Sequence, residues 1–277
     1  MTDERIYSSC PADGEIAIGA VDLAARDEGE LRRREVEDLA ARGESTPQLI
    51  AYLGDPDWRV RRAAAQALAD DPDIDPSVVL CQRLSSEDAG ERNAAIKALI
   101  KRGPASVSAL LDSLRSPDPD VRNFTCIALG HIGDLAAGEA LIEMLGNEPD
   151  PNVRYMALEA IGRIADPRAT DALIAVLDED VWFAAPAAEA LGAIGGAAAI
   201  AALAAHLTDD ELALAAIEAI GSTADLRALV PLLEAGETSH DVLAVPIVSA
   251  LGAVLSAAGA DHAAALELLR PVARRLF

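Results

Sequence analysis

Apolar residues recur along the chain at helical spacing. Between Val153 and Ile164, the residues Val153, Ala157, Ala160 and Ile161 share one face. That spacing predicts an amphipathic helix, not a strand, whose side chains would alternate. Just upstream, Leu141, Ile142 and Leu145 form the apolar spine of another helix. The segment between them is rich in Asp, Pro and Gly. Asp150 is placed to cap the second helix and a Pro fits its first turn. The predicted unit is therefore a pair of helices joined by a tight turn.

The unit repeats. PDPDVRNFTCIALGHIGD (Pro117 to Asp134) and PDPNVRYMALEAIGRIAD (Pro149 to Asp166) agree in type at most positions. Arg61, Arg92, Arg122 and Arg154 keep intervals of 31, 30 and 32 residues. The Gly eight residues later carries the beat onward through Gly130, Gly162, Gly192, Gly221 and Gly252. Leu53, Leu84, Leu114, Leu145, Leu177 and Leu207 keep it as well. A weaker copy, VDLAARDEGELRRREVEDLAARG, precedes them with Arg32 at the Arg position. The expected organisation is a flexible tail over residues 1–14, then one solenoid over 15–277. It has about eight helical-hairpin units, the first degenerate, and a capping helix in DHAAALELLRPVARRLF. Such units cannot bury their apolar faces alone, so neighbours must stack.

Asp57, Asp88, Asp118 and Asp150 each stand four residues before the Arg of their unit. On a helix that spacing permits a carboxylate–guanidinium pair. The alternative is that each Arg reaches an Asp of the next unit, as a ladder between repeats. Both readings make Asp57/Arg61, Asp88/Arg92, Asp118/Arg122 and Asp150/Arg154 structural residues.

These motifs resemble the short HEAT repeats, the type also found in phycobilin lyase subunits. The resemblance covers about residues 17–255 and rests on the two stretches quoted above. It weakens where Ala184, Ala213 and Ala244 replace the Arg. It implies an all-α, right-handed α-solenoid, a HEAT-like superhelix whose second helices line a concave surface.

Two positions after the Arg break the repetition: Asn123-Phe124 in one copy, Tyr155-Met156 in the other. Core positions must repeat because the packing repeats, whereas concave positions vary with whatever binds there. The stripe beside the core face holds Pro151, Tyr155 and Glu159, and the next holds Asn152 and Met156. The matching candidates for a partner-binding groove are Trp58, Arg62, Lys97, Asn123, Phe124, Tyr155, Met156, Glu159, Trp182, Glu189, Leu214 and Glu218. Four of the chain's eight aromatic residues fall in this register. Aromatic side chains are the usual anchors of interfaces. Glu159, Glu189 and Glu218 take one slot in three consecutive units. With helices about 8–10 Å apart they make a carboxylate row roughly 20 Å long. Upstream, Arg62 and Lys97 give the groove the opposite sign. Pro186 and Pro246 occupy equivalent positions, and the expectation is that their helices begin late, with Pro in the first turn.

Composition narrows the function. The net charge is −23, and residues 1–140 and 141–277 contribute −10 and −13. Neither half is basic, which disfavours nucleic acid. No apolar run suggests a membrane span or a signal core. Three Cys cannot all pair; Cys81 and Cys126 fall in helical patterns and read as buried thiols, with Cys10 in the tail. These features suit a cytoplasmic location. The four His, at 131, 206, 240 and 262, form no metal-binding motif, and neither a glycine-rich phosphate loop nor a nucleophile–base spacing occurs. The paired His-Glu motifs of the HEAT-like di-iron hydroxylases are also missing. The expectation is a non-enzymatic scaffold or adaptor with no cofactor and no metal. Its partner is another protein, bearing a basic segment with apolar anchors. The alternative, implied by the resemblance alone, is a bilin (phycobiliprotein) lyase or lyase-like chaperone subunit.

Overall fold

A computed structural model describes residues 20–257 and 259, apart from 44–45, 72–74, 210 and 239–240, and the side chains of 20–27, 46 and 241 lie outside the description. The tail at 1–14, Cys10, His240, His262 and the closing helix at 261–277 lie outside the described residues.

Among the described residues every regular element is helical. The first unit supplies one long helix, α1 (Ala20–Arg42), rather than a pair. Seven hairpins follow: α2 (Thr46–Ala51) with α3 (Trp58–Asp70), α4 (Ser77–Gln82) with α5 (Ala89–Arg102), and α6 (Val107–Ser113) with α7 (Pro119–Ile132). Then come α8 (Gly138–Asn147) with α9 (Pro151–Ile164), α10 (Thr170–Val176) with α11 (Val181–Ile194), α12 (Gly196–Ala205) with α13 (Ala213–Ser222), and α14 (Leu229–Thr238) with α15 (Asp241–Ala257). The result is an α-solenoid.

The turn chemistry sets where the second helices begin. Asp57, Asp88, Asp118, Asp150 and Asp180 are all N-caps, each carboxylate accepting a backbone N–H from the first turn. Pro119 and Pro151 take the first helical position, where a missing N–H costs nothing. The C-terminal end is set by a left-handed residue. Gly133 holds φ 71° after α7, and Ala165 holds φ 53° after α9 despite its Cβ.

The Leu series is buried throughout, as are Val153, Ala157, Ala160 and Ile161. The glycine series has a packing reason. A Cβ on Gly130 would sit 2.9 Å from Ala160 Cα, and one on Gly192 would sit 2.6 Å from the Ala219 carbonyl oxygen. Gly162 faces Ala190 and Gly221 faces Ala250 in the same way. Each Gly thus receives the Ala two positions before the next Gly, and the helix backbones close on each other. Successive second helices share extensive contacts, while first helices touch their counterparts sparingly. The contact is thinnest between α5 and α7. There Ile100, half-buried, stands where later units have Gly.

Two expectations need correction. First, the Asp and Arg four residues apart do not pair, because the Asp carboxylates are taken by the helix caps. Asp57 pairs with Arg59 instead. Each Arg turns back to carbonyls that precede its own helix: Arg61 to Asp55 and Pro56, Arg92 to Ser86 and Glu87, Arg122 to Ser116, Arg154 to Leu145. Some reach across units, but to a residue just before the cap. Arg122 makes bonds of 2.6 and 2.9 Å to Glu148, Arg154 makes 2.6 and 2.7 Å to Glu179, and Arg32 reaches Asp55 at 2.7 Å. Ser86 and Ser116 fill the slot that Asp55 and Glu148 fill, so Arg61 and Arg92 have no carboxylate there. Burial raises the pKa of Glu148, but the Arg122 hydrogen bond and the Asp150 N–H outweigh it and hold the carboxyl low. The Arg154 hydrogen bond holds Glu179 low against its burial.

Second, α11 and α15 do not begin late. The Asp180 cap lies six residues before Pro186, and both helices run through Pro186 and Pro246. Each Pro removes one N–H from the ladder. The carbonyls left over belong to Trp182 and Val242, both exposed residues of the first turns, where water can take the missing donor's place.

Candidate functional site

The face that α3, α5, α7, α9, α11, α13 and α15 present beside their buried stripe carries the candidate residues, and it divides into two regions of different chemistry.

The first region spans α7 to α13. Tyr155 of α9 and Trp182 of α11 meet across neighbouring units, with ring centroids 5.5 Å apart and planes at 44°. Tyr155 is half-buried, whereas Trp182 is 59% exposed. Offset and tilted ring pairs of this kind hold both partners in place. Met156 is half-buried against the core behind them. Leu214 of α13 is exposed on its own helix. Glu159 on α9 is half-buried, and Glu189 on α11 and Glu218 on α13 are exposed. Burial raises the Tyr155 phenol pKa, and the charges of Glu159 and Glu189, with a hydrogen bond to Glu159, push it further up. Phe124 is not a free anchor. It is half-buried against the core, with the Arg92 guanidinium 5.3 Å from its ring centroid. Asn123 beside it has a buried Oδ1 with no hydrogen-bond partner among the described residues.

The second region is a cleft of about 460 Å³ between α3 and α5, lined by Trp58, Arg61, Arg62, Asn93, Lys97 and Lys101 among others. Trp58 is 60% exposed. Arg62 and Lys97 are exposed and make no ion pair among the described residues. Lys101 reaches Asp70 at 2.7 Å. Gly90 lets the Arg61 guanidinium lie against α5, since a Cβ there would sit 2.8 Å from it.

The structure therefore brings Tyr155 together with Trp182, Glu159 and Glu189. It sets Trp58, Arg62 and Lys97 apart, on α3 and α5. Arg61 and Lys101 were missed as members of this cleft. Lys101 follows Lys97 by four residues, the spacing of one helix face, so the signal was present. A further ring was missed: Phe183 packs half-buried against the core, with Arg154 4.6 Å from its centroid. Cys81 and Cys126 are free and buried; burial raises both thiols, Cys126 to about 12. Among the described residues no group of His, Cys, Asp and Glu is arranged to hold a metal ion, and no helix is long and apolar enough to cross a membrane.

The family model described as HEAT repeats matches residues 20–100, 77–150 and 138–221. Among solved structures the chain is similar to the complex of CpcE and CpcF of phycocyanin lyase from Nostoc sp. PCC7120, at 23% identity over 84% of this chain and 96% of that one, with a TM-score of 0.44. It is similar to YibA of E. coli at 18% identity over 90% and 99%, TM-score 0.47. An engineered protein matches at 24% identity over 80% and 72%, TM-score 0.44. No curated protein sequence matches.

Proposed function

The chain belongs to the HEAT-repeat family, and on that premise we propose that it is a non-enzymatic scaffold that binds a partner polypeptide along its second helices. HEAT repeats suggest protein interaction; the face and the anchors are the proposal. The observation that supports it is the placement of the tryptophans. The chain has two, and both stand exposed on second helices. Large rings held in water at the surface of an Ala-rich stack lose apolar burial that a partner would restore. Trp182 is held by Tyr155 in a fixed position, so little conformational entropy is lost on binding. Glu159, Glu189 and Glu218 select basic residues on the partner and steer its approach, an effect that salt weakens.

The test pairs two measurements on the same variants. Tyr155→Ala and Trp182→Ala should each weaken binding of a partner recovered with the wild-type protein about 30-fold, the equivalent of about 2 kcal/mol. Their melting temperatures should stay at the parent value. Unchanged affinity beside a lowered melting temperature would show that the rings only seal the stack.

A further inference from the structure

The cleft between α3 and α5 has the opposite sign to the rest of the chain. The protein carries 46 Asp and Glu against 23 Lys and Arg. Yet the cleft is lined by Arg61, Arg62, Lys97 and Lys101, and no carboxylate is among its described lining residues. Like charges on adjacent helices repel, and Asp70 offsets only Lys101. Arg62 and Lys97 stay uncompensated on either side of the cleft.

We propose that this cleft docks an acidic polypeptide segment. The cations do not converge on one point. Lys97 and Lys101 follow each other by one helical turn along α5, and Arg62 lies opposite on α3. Compact phosphate sites gather backbone N–H groups at a helix start or use bidentate Arg. Here the charged groups leave from the helix interior and from the last turn of α5. Dispersed cations with a tryptophan wall suit a run of carboxylates with an apolar neighbour. This inference stands on the cleft alone. Joined to the proposed function, it adds a polarity: the partner is acidic over α3 and α5 and basic over α9 to α13. From α5 to α11 is three helix steps, roughly 25–30 Å. A helical segment of about 17–20 residues spans that distance, as does an extended one of about 8–9.

The experiment uses the full chain carrying Trp182→Phe, so that Trp58 is the remaining tryptophan. Four probes are titrated at low salt: decaglutamate, decalysine, inorganic pyrophosphate and a thymidine decanucleotide. Decaglutamate should change Trp58 emission saturably. Arg62→Glu with Lys97→Glu should lower its affinity at least ten-fold, the milder Arg62→Gln with Lys97→Gln should lower it less, and Glu159→Lys with Glu189→Lys should not lower it. No emission change, or an unaltered affinity in Arg62→Glu with Lys97→Glu, overturns the proposal. Pyrophosphate or the decanucleotide binding as tightly as decaglutamate also overturns it, in favour of a general anion site. Decalysine is titrated instead against the chain carrying Trp58→Phe, where Trp182 reports on the acidic face: its loss in Glu159→Lys with Glu189→Lys belongs to the proposed function and leaves the cleft untouched.

Discussion

Adding one methyl group at chosen glycines tests how the second helices stack. At Gly192 a Cβ would lie 2.6 Å from the Ala219 carbonyl oxygen and 2.9 Å from Ala219 Cα. Both are backbone atoms, so relief requires α11 and α13 to separate. At Gly162 the nearest atoms are Ala190 Cβ and Cα at 3.2 and 3.3 Å, a contact that small shifts can absorb. At Gly146, in α8, nothing lies within 4 Å. All three substitutions gain helix propensity, up to ~1 kcal/mol. The difference between Gly192→Ala and Gly146→Ala therefore isolates the stacking contact. Overpacking of this kind costs ~1–3 kcal/mol. In a domain of this size that corresponds to roughly 2–12 °C in melting temperature. Far-ultraviolet circular dichroism melts of the three variants should rank Gly146→Ala highest, Gly162→Ala between and Gly192→Ala lowest. Equal melting of Gly192→Ala and Gly146→Ala would refute close approach of the helix backbones.

Removing Arg122 should cost about 3 kcal/mol, because Glu148 is left charged with its side chain only 3% exposed. Removing Arg154 should cost about 1 kcal/mol, since the Glu179 side chain is 37% exposed and water screens it; chemical denaturation of both alanine variants checks the order. Acid should weaken the fold. The folded pKa values of Glu148 and Glu179 are depressed, so their stabilisation is present above the unfolded glutamate value near ~4.3 and is lost as pH falls through the folded values. Urea midpoints taken from about pH 6 down to about pH 3 should fall, and Arg122→Ala should fall less steeply than the parent.

The repeat itself was legible in sequence because packing repeats: the Leu series, the Gly series and the Asp caps each recur where the same contact recurs. The partners of the Arg series were not. A spacing of four residues fits an ion pair, but the Asp at that spacing is also the helix cap, and capping takes its carboxylate. The acid that Arg122 and Arg154 reach lies 26 or 25 residues downstream in the next unit; Glu148 stands two residues before its cap, where Ser86 and Ser116 stand in earlier units, and Glu179 stands one residue before its cap. Pro186 misled for a related reason. Proline favours the first turn by local rules, while the cap at Asp180 had already fixed an earlier start. Within the groove, Tyr155 and Trp182 were legible as one register, but their contact depends on how two units pack. The basic cleft was only half legible, because Arg61 read as one member of a structural series.

The most direct test of the scaffold reading is photo-cross-linking at single positions. A benzophenone side chain is placed at Trp182 or Leu214, on second helices, and at Val78 or Val230, on the first helices α4 and α14. All four residues are exposed, so reactivity alone does not separate them. Adducts are expected from 182 and 214 to one segment of the same partner, and none from 78 or 230. Adducts from 78 and 230 with none from 182 would place the partner on the other row of helices and contradict a groove along the second helices.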